Sequence, residues 1–197
     1  MMTTYQHNNR ITITNEEINA LPLGAFEGPV DIIDQADQLE EALAEIRKHS
    51  VVGFDTETKP VFVSGQFNHV SLVQIALPKK VFLVRLKSVG MAPQIIHFFE
   101  NEKILKAGVA LRDDIKALQK LKHFKADGFF ELAELAKQSG LQVESVKKLT
   151  ALLLGFRISK SAQTSNWEAA VFNEKQISYA ATDAWVCLNI YNKLIGH

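Results

Sequence analysis

The sequence is short of several things that would have pointed elsewhere. It holds one cysteine, Cys187, in 197 residues, which excludes an internal disulfide and any cysteine-built zinc cluster. No apolar run approaches the roughly 20 residues needed to cross a bilayer, so no membrane partner is expected. Met1 to Arg10 is polar and lacks the apolar centre of a signal peptide. An intracellular, soluble protein is expected, cytoplasmic if the source is bacterial. Charge of one sign is also missing, since Lys+Arg and Asp+Glu stand at 22 each. No global field therefore advertises a lipid surface or a long duplex, whose phosphates demand many neutralising cations. A site that grips only a few phosphates stays open. Internal repeats and low-complexity linkers are absent.

What is present is enough apolar material for one full core: 47% hydrophobic residues, with 12 phenylalanines. Residues 1–30 read as an N-terminal extension of unknown role, with a short helix over 15–21 capped at Thr14 or Asn15 and then broken by Pro22, Gly24, Gly28 and Pro29. The body is expected over 31–197. Leu39, Ala42, Leu43 and Ile46 recur at helical spacing. Strands are predicted over 51–58, 69–77, 80–86 and 104–109, with a Pro78-Lys79 turn between the second and third. Helices are predicted over 93–100, 111–122, 129–138, 146–154 and 174–194. Strands early and helices later make a mixed α/β sheet with helices on its faces.

The chain is organised around Val51-Val52-Gly53-Phe54-Asp55-Thr56-Glu57-Thr58. A buried strand leads into two acids one residue apart. Side chains alternate along a strand, so Asp55 and Glu57 share a face and Thr56 points away. Two carboxylates side by side resist ionisation unless a cation sits between them. The alternative is a strand fraying into a polar loop, because D-x-E alone is a weak signal. Two helices add acids at the wrong place for solvent. In 111–122, Asp114 falls within the apolar arc of Leu111, Ile115, Leu118 and Leu121, while Asp113 falls opposite. In the last helix, Asp183 shares a stripe with Tyr179, Val186, Cys187, Ile190 and Leu194, and Tyr179 is its i−4 neighbour. A core-facing carboxylate is costly unless paired or bound to a metal. The bland readings are an Asp bonding free N–H groups at a helix start and a buried Tyr–Asp hydrogen bond.

Asp55-x-Glu57, Asp114 and Tyr179-x-x-x-Asp183 together resemble the three motifs of the DEDD 3′–5′ exonucleases, in the subgroup whose third motif carries tyrosine. The resemblance spans about residues 35–195. Gly53-Phe54-Asp55-Thr56-Glu57, Val73-Gln74-Ile75, Lys106-Ala107-Gly108-Val109, Lys160-Ser161-x-Gln163-x-Ser165-Asn166-Trp167 and Tyr179-Ala180-Ala181-Thr182-Asp183 are similar to the exonuclease domains of the Werner helicase type, with RNase D the neighbouring branch. Lys116 departs from the aromatic residue often found at that position in Werner-type domains.

The resemblance implies a ribonuclease H-like fold with a five-stranded mixed sheet. It implies catalytic roles for Asp55, Glu57, Asp114, Tyr179 and Asp183, with the four acids holding two divalent cations, Mg²⁺ or Mn²⁺. Asp55 would bridge both ions, Glu57 and Asp183 would complete the site nearer the attacking water, Asp114 would hold the second ion, directly or through water, and Tyr179 would orient the water or help deprotonate it. The implied reaction is hydrolysis from the 3′ end of nucleic acid, DNA or RNA, with DNA slightly favoured. An RNase D-like exoribonuclease and a non-catalytic nucleic-acid-binding module are the rival readings. Lys59, Gln74, Lys160 and Trp167 are candidate substrate contacts; so, more weakly, are His69 and Arg157. For the cations the alternative is solvated surface charge, for Gln74 a core hydrogen bond, and for Trp167 burial.

Overall fold

The computed structural model describes residues 11–61 and 68–196. The loop expected over 59–68 falls largely outside them. Helix α1 (Asn15–Ala20) is capped by Thr14, which accepts from the Glu17 N–H while Glu17 reaches back to the Thr14 N–H. Strand β1 (Val30–Ile33) and helix α2 (Ala36–Ile46) follow, then β2 (Val51–Thr58), β3 (Val70–Leu77) and β4 (Lys80–Arg85). After the short helices α3 (Leu86–Val89) and α4 (Pro93–Phe99) come β5 (Leu105–Gly108), α5 (Leu111–Leu121), β6 (Phe129–Glu131), α6 (Leu132–Gln138), α7 (Val146–Leu154) and the long α8 (Glu174–Ile195).

The strands form one mixed sheet in the order β1-β4-β3-β2-β5-β6, in which β3 alone runs against its neighbours. It has six strands where five were expected. The two that the sequence did not place are short: four-residue β1 on one edge and three-residue β6 on the other. Phe129-Phe130-Glu131 was predicted as the start of a helix, because an apolar run feeding directly into a helical pattern cannot be told from its first turn by periodicity. Glu131 marks the change. Its carboxylate caps α6 through the Ala133 N–H, and it also accepts from the N–H groups of Ala110 and Leu111 at the start of α5.

Each sheet face buries its own core. On one, Val52, Phe54, Val73, Ile75, Phe82 and Val84 pack against α2, α4 and α5. On the other, Leu72, Ala76, Val81 and Leu83 lie under α8. The contact between α8 and the sheet is close because Gly53 has no side chain. A Cβ there would stand 1.9 Å from the carbonyl oxygen of Ala184. The alanines Ala180, Ala181 and Ala184, all fully buried, keep the helix side equally slim. The described part of the extension is folded onto this body. Ile13 and Ile18 pack with Ala151 of α7, and Arg157 pins residues 21–24 by its backbone and its Nε.

Candidate active site

Close approach of α8 to β2 is what assembles the acids. Asp55 and Glu57 project from the α8 face of β2, and Asp183 comes down from α8. One carboxylate oxygen from each of these three lies within 4.8 Å of the other two. All three are largely withdrawn from water, and each ionises with difficulty. Burial is the main cause for Asp55, followed by the charges of Asp183, Asp114 and Glu57, and its carboxyl is pushed well above the usual range. Glu57 is raised to about 8, by burial first and by Asp183 next. Asp183 is raised to about 6 by burial, opposed by the Tyr179 hydroxyl and by the charge of Lys160. The Tyr179 hydroxyl sits against both Glu57 and Asp183 and favours their charged forms, while its own ionisation is pushed far up by burial and by those acids.

Asp114 arrives from the opposite layer. Helix α5 packs on the face that carries Val52 and Phe54, and there Asp114 Oδ1 accepts a 2.5 Å hydrogen bond from the Thr56 hydroxyl. Its carboxyl is raised to about 6, chiefly by burial, with Thr56 opposing. It lies outside the group of three mutually close oxygens, yet its charge acts on both Asp55 and Glu57. Asp113, by contrast, is 90% exposed, as its helical phase required. Helix α5 begins at Ala110, whose φ of 61° is left-handed without being glycine. That is a strained start, and the two bonds from the Ala110 and Leu111 N–H groups to Glu131 hold it in place.

The other sequence candidates fall in different surroundings. Lys160 is exposed on the loop before α8, and its charge bears on Asp183. Lys59, just past β2, pairs with Glu168 at 3.3 Å. Gln74 is paired in register with Asp55 and fully buried, and neither of its amide atoms has a partner among the described residues. Trp167 is 1% exposed, with Tyr179 and Phe172 against its rings; it backs the Tyr179 ring from inside the core. His69 is exposed, and Arg157 serves the N-terminal segment. Two residues of the site went unnoticed in the sequence. Thr56 was read only as pointing away from its neighbours, and Glu131 was absorbed into a helix. A glutamate at a strand end directly before a helix was the available signal for the second.

The acids suit a hard divalent cation. They offer oxygen ligands only, burial and mutual repulsion oppose their ionisation, and Asp183 Oδ1 is buried with no hydrogen-bond partner among the described residues. Such an acid cluster at a strand end is the kind of donor set that cation-assisted phosphodiester hydrolysis uses. The sequence profile for 3′–5′ exonuclease matches residues 30–195. The chain therefore belongs to the 3′–5′ exonuclease family. Among curated relatives, it is 33% identical over 161 residues to the mouse bifunctional 3′–5′ exonuclease/ATP-dependent helicase WRN, covering 79% of this chain and 12% of that protein. It is 30% identical to the putative 3′–5′ exonuclease R431 of Acanthamoeba polyphaga mimivirus, covering 91% of this chain and 50% of the relative. The chain thus spans half or less of these relatives' length. Of solved structures, the Nibbler EXO domain of Aedes aegypti is 27% identical with a TM-score of 0.74, covering 84% of this chain and 86% of that one. Escherichia coli RNase D shares the fold at a TM-score of 0.76 and 20% identity, over 84% of this chain and 44% of that one. Among the described residues, no helix is long and apolar enough to cross a membrane.

Proposed function

We propose that the chain hydrolyses phosphodiester bonds at the 3′ end of nucleic acid, with Asp55, Glu57, Asp183 and Asp114 holding two divalent cations, Mg²⁺ or Mn²⁺. The observation that carries this reading is the convergence of three carboxylates, two buried and one half-buried, within 4.8 Å, with the fourth held from the opposite layer. When bound, such cations activate a water and stabilise charge on the attacking and leaving oxygens. The chain's own groups do the rest. Asp55, on which the charges of Asp183, Asp114 and Glu57 all act, would be the central ligand of the set. Tyr179, its ring fixed between Trp167 and the acids, orients the attacking water through its hydroxyl. In the cation-free site, burial and the neighbouring acids push its own ionisation far above the usual range. Lys160 brings positive charge to the rim beside Asp183. The catalytic unit is residues 31–197, supported by the family match over 30–195, with the N-terminal segment docked on it. DNA is the favoured strand, since identity to the Werner-type relative exceeds that to RNase D. Cytoplasmic residence, for a bacterial source, belongs to the same reading.

The test is degradation of 5′-labelled DNA and RNA oligonucleotides of one sequence, with and without Mn²⁺. Stepwise shortening from the 3′ end is expected only with the cation, and faster on DNA. Asp55→Ala should nearly abolish it, while Tyr179→Phe should leave a remnant about 100-fold slower. Unchanged turnover in the Asp55 variant would overturn the assignment.

A further inference from the structure

Sharing Tyr179 with the acid site is a cavity of about 280 Å³ whose lining also includes Leu23, Ala25, Ser159, Ser161 and Ser178. We propose that it is a nucleoside-binding subsite, and that the N-terminal segment Leu23–Ala25 supplies its apolar wall. This rests on the exonuclease reading above and extends it to a part of the chain that lies outside the family match over 30–195.

Two residues tie the cavity to the acids. Tyr179 lines it while its hydroxyl meets Glu57 and Asp183. Lys160, between the lining residues Ser159 and Ser161, acts on Asp183 by its charge. Because Tyr179 belongs to both the cavity and the acid site, a strand whose terminal phosphodiester reaches the acids would have an adjoining nucleoside on the Tyr179 side, toward the cavity. The volume is close to the lower end of small-molecule pockets, roughly 300 Å³, so it takes one nucleoside rather than a run of them.

The wall is built, not incidental. The Arg157 N–H donates to the Pro22 carbonyl, the Gly24 N–H donates to the Arg157 carbonyl, each at 2.9 Å, and Arg157 Nε donates to the Leu21 carbonyl at 3.1 Å. Just beyond, the Phe26 N–H donates to the Thr182 hydroxyl at 3.0 Å. Gly24 is pressed onto the Phe156 ring, where a Cβ would come within 2.4 Å. Held on both sides, the segment presents Leu23 with 57% of its surface exposed. An exposed leucine on a fastened backbone gives the flat face of a base something to rest on, as apolar and aromatic platforms do in single-strand binding. The serine hydroxyls can donate to and accept from the base edge or sugar. Glu174 and Lys175, also at the cavity, balance each other, so the ligand part is the uncharged nucleoside and the phosphate lies toward Lys160.

The experiment compares Leu23→Asp, which spoils the apolar wall, with Ser178→Phe, which fills the cavity from an exposed position. Val171→Ala serves as a control at an 83% exposed valine elsewhere. On an oligonucleotide substrate, both cavity variants should raise KM about tenfold with kcat within about twofold, and the control should change neither. Binding is read separately in an Asp55→Asn background, with 2-aminopurine at the last or the next-to-last position of the oligonucleotide. A fluorescence change on binding at one of the two positions, lost with Ser178→Phe, supports the subsite. If both cavity variants keep wild-type KM and the same fluorescence response, the subsite is refuted while the exonuclease reading stands. If the wild type degrades no oligonucleotide, it is the exonuclease reading that fails, and the fluorescence arm still reports on the cavity.

Discussion

Replacing Glu57 by glutamine should stabilise the cation-free protein at neutral pH, and by an amount the site itself sets. The Glu57 carboxyl titrates at 4.5 in the unfolded chain and at about 8 in the folded one, where it is only 9% exposed. A group whose folded value is raised binds its proton more tightly in the native state. Its contribution is fully present below about pH 4.5 and is lost as pH climbs toward about 8. At about 1.4 kcal/mol per pH unit, the loss at pH 7.5 is on the order of 4 kcal/mol. That figure is a ceiling, because Asp55 and Asp183 compete for the same proton. For a chain of this size each kcal/mol moves Tm by about 2–4 °C. Thermal unfolding in EDTA should therefore show Glu57→Gln melting as much as about 8–16 °C above wild type at pH 7.5, with the two curves converging toward pH 5. Adding Mn²⁺ should close most of the gap. Wild type gains the binding free energy of the ion, about 2.7 kcal/mol at a hundredfold excess over Kd, and the variant loses most of that gain. If Glu57→Gln melts at or below wild type in EDTA at pH 7.5 and still responds fully to Mn²⁺, the picture of mutually repelling buried acids is wrong.

Three further outcomes follow from particular contacts. Thr56→Val keeps the shape of the strand but removes the hydroxyl that holds Asp114; Mn²⁺ affinity, measured by titration, should fall about tenfold, and Thr56→Ser should restore it. Wild-type affinity in the valine variant would show that the bond positions nothing. Gly53→Ala drives a Cβ into the Ala184 carbonyl, so a loss of about 3 kcal/mol in urea unfolding is expected; a neutral result would mean that α8 stands further off β2 than described. Lys106 is fully buried, donates to the Phe98 and Asn101 carbonyls, and has its ammonium lowered to about 8, chiefly by burial. Between pH 8 and 10.5 the unfolded chain holds this proton and the folded one does not, so the contribution of Lys106 rises with pH across that window. Lys106→Met should flatten that rise, read as the difference in urea midpoint between pH 7.5 and 9.5.

Most of the candidate site was legible in the sequence because two periodicities carry it. Alternation along 51–58 put Asp55 and Glu57 on one face, and the 3.6-residue repeat turned Asp114, Tyr179 and Asp183 inward and Asp113 outward; the structure bears out each orientation. The short edge strands were illegible for the opposite reason, since three or four residues are too few to declare a period. Periodicity also says only that a side chain faces a core, never which core. This protein has one on each side of its sheet. Asp183 faces inward on the side of Asp55 and Glu57, whereas Asp114 faces inward on the other side, where its partner is Thr56. The residue that alternation set aside as pointing away from the acids is thus the one that ties the fourth acid to their strand. The two layers come together around the acid-bearing end of β2, and that convergence is a property of the sheet order and of the glycine that lets α8 descend. A single-strand reading could supply the acids, but only the register of β2 against both its helices could bring them into range of one another's charge.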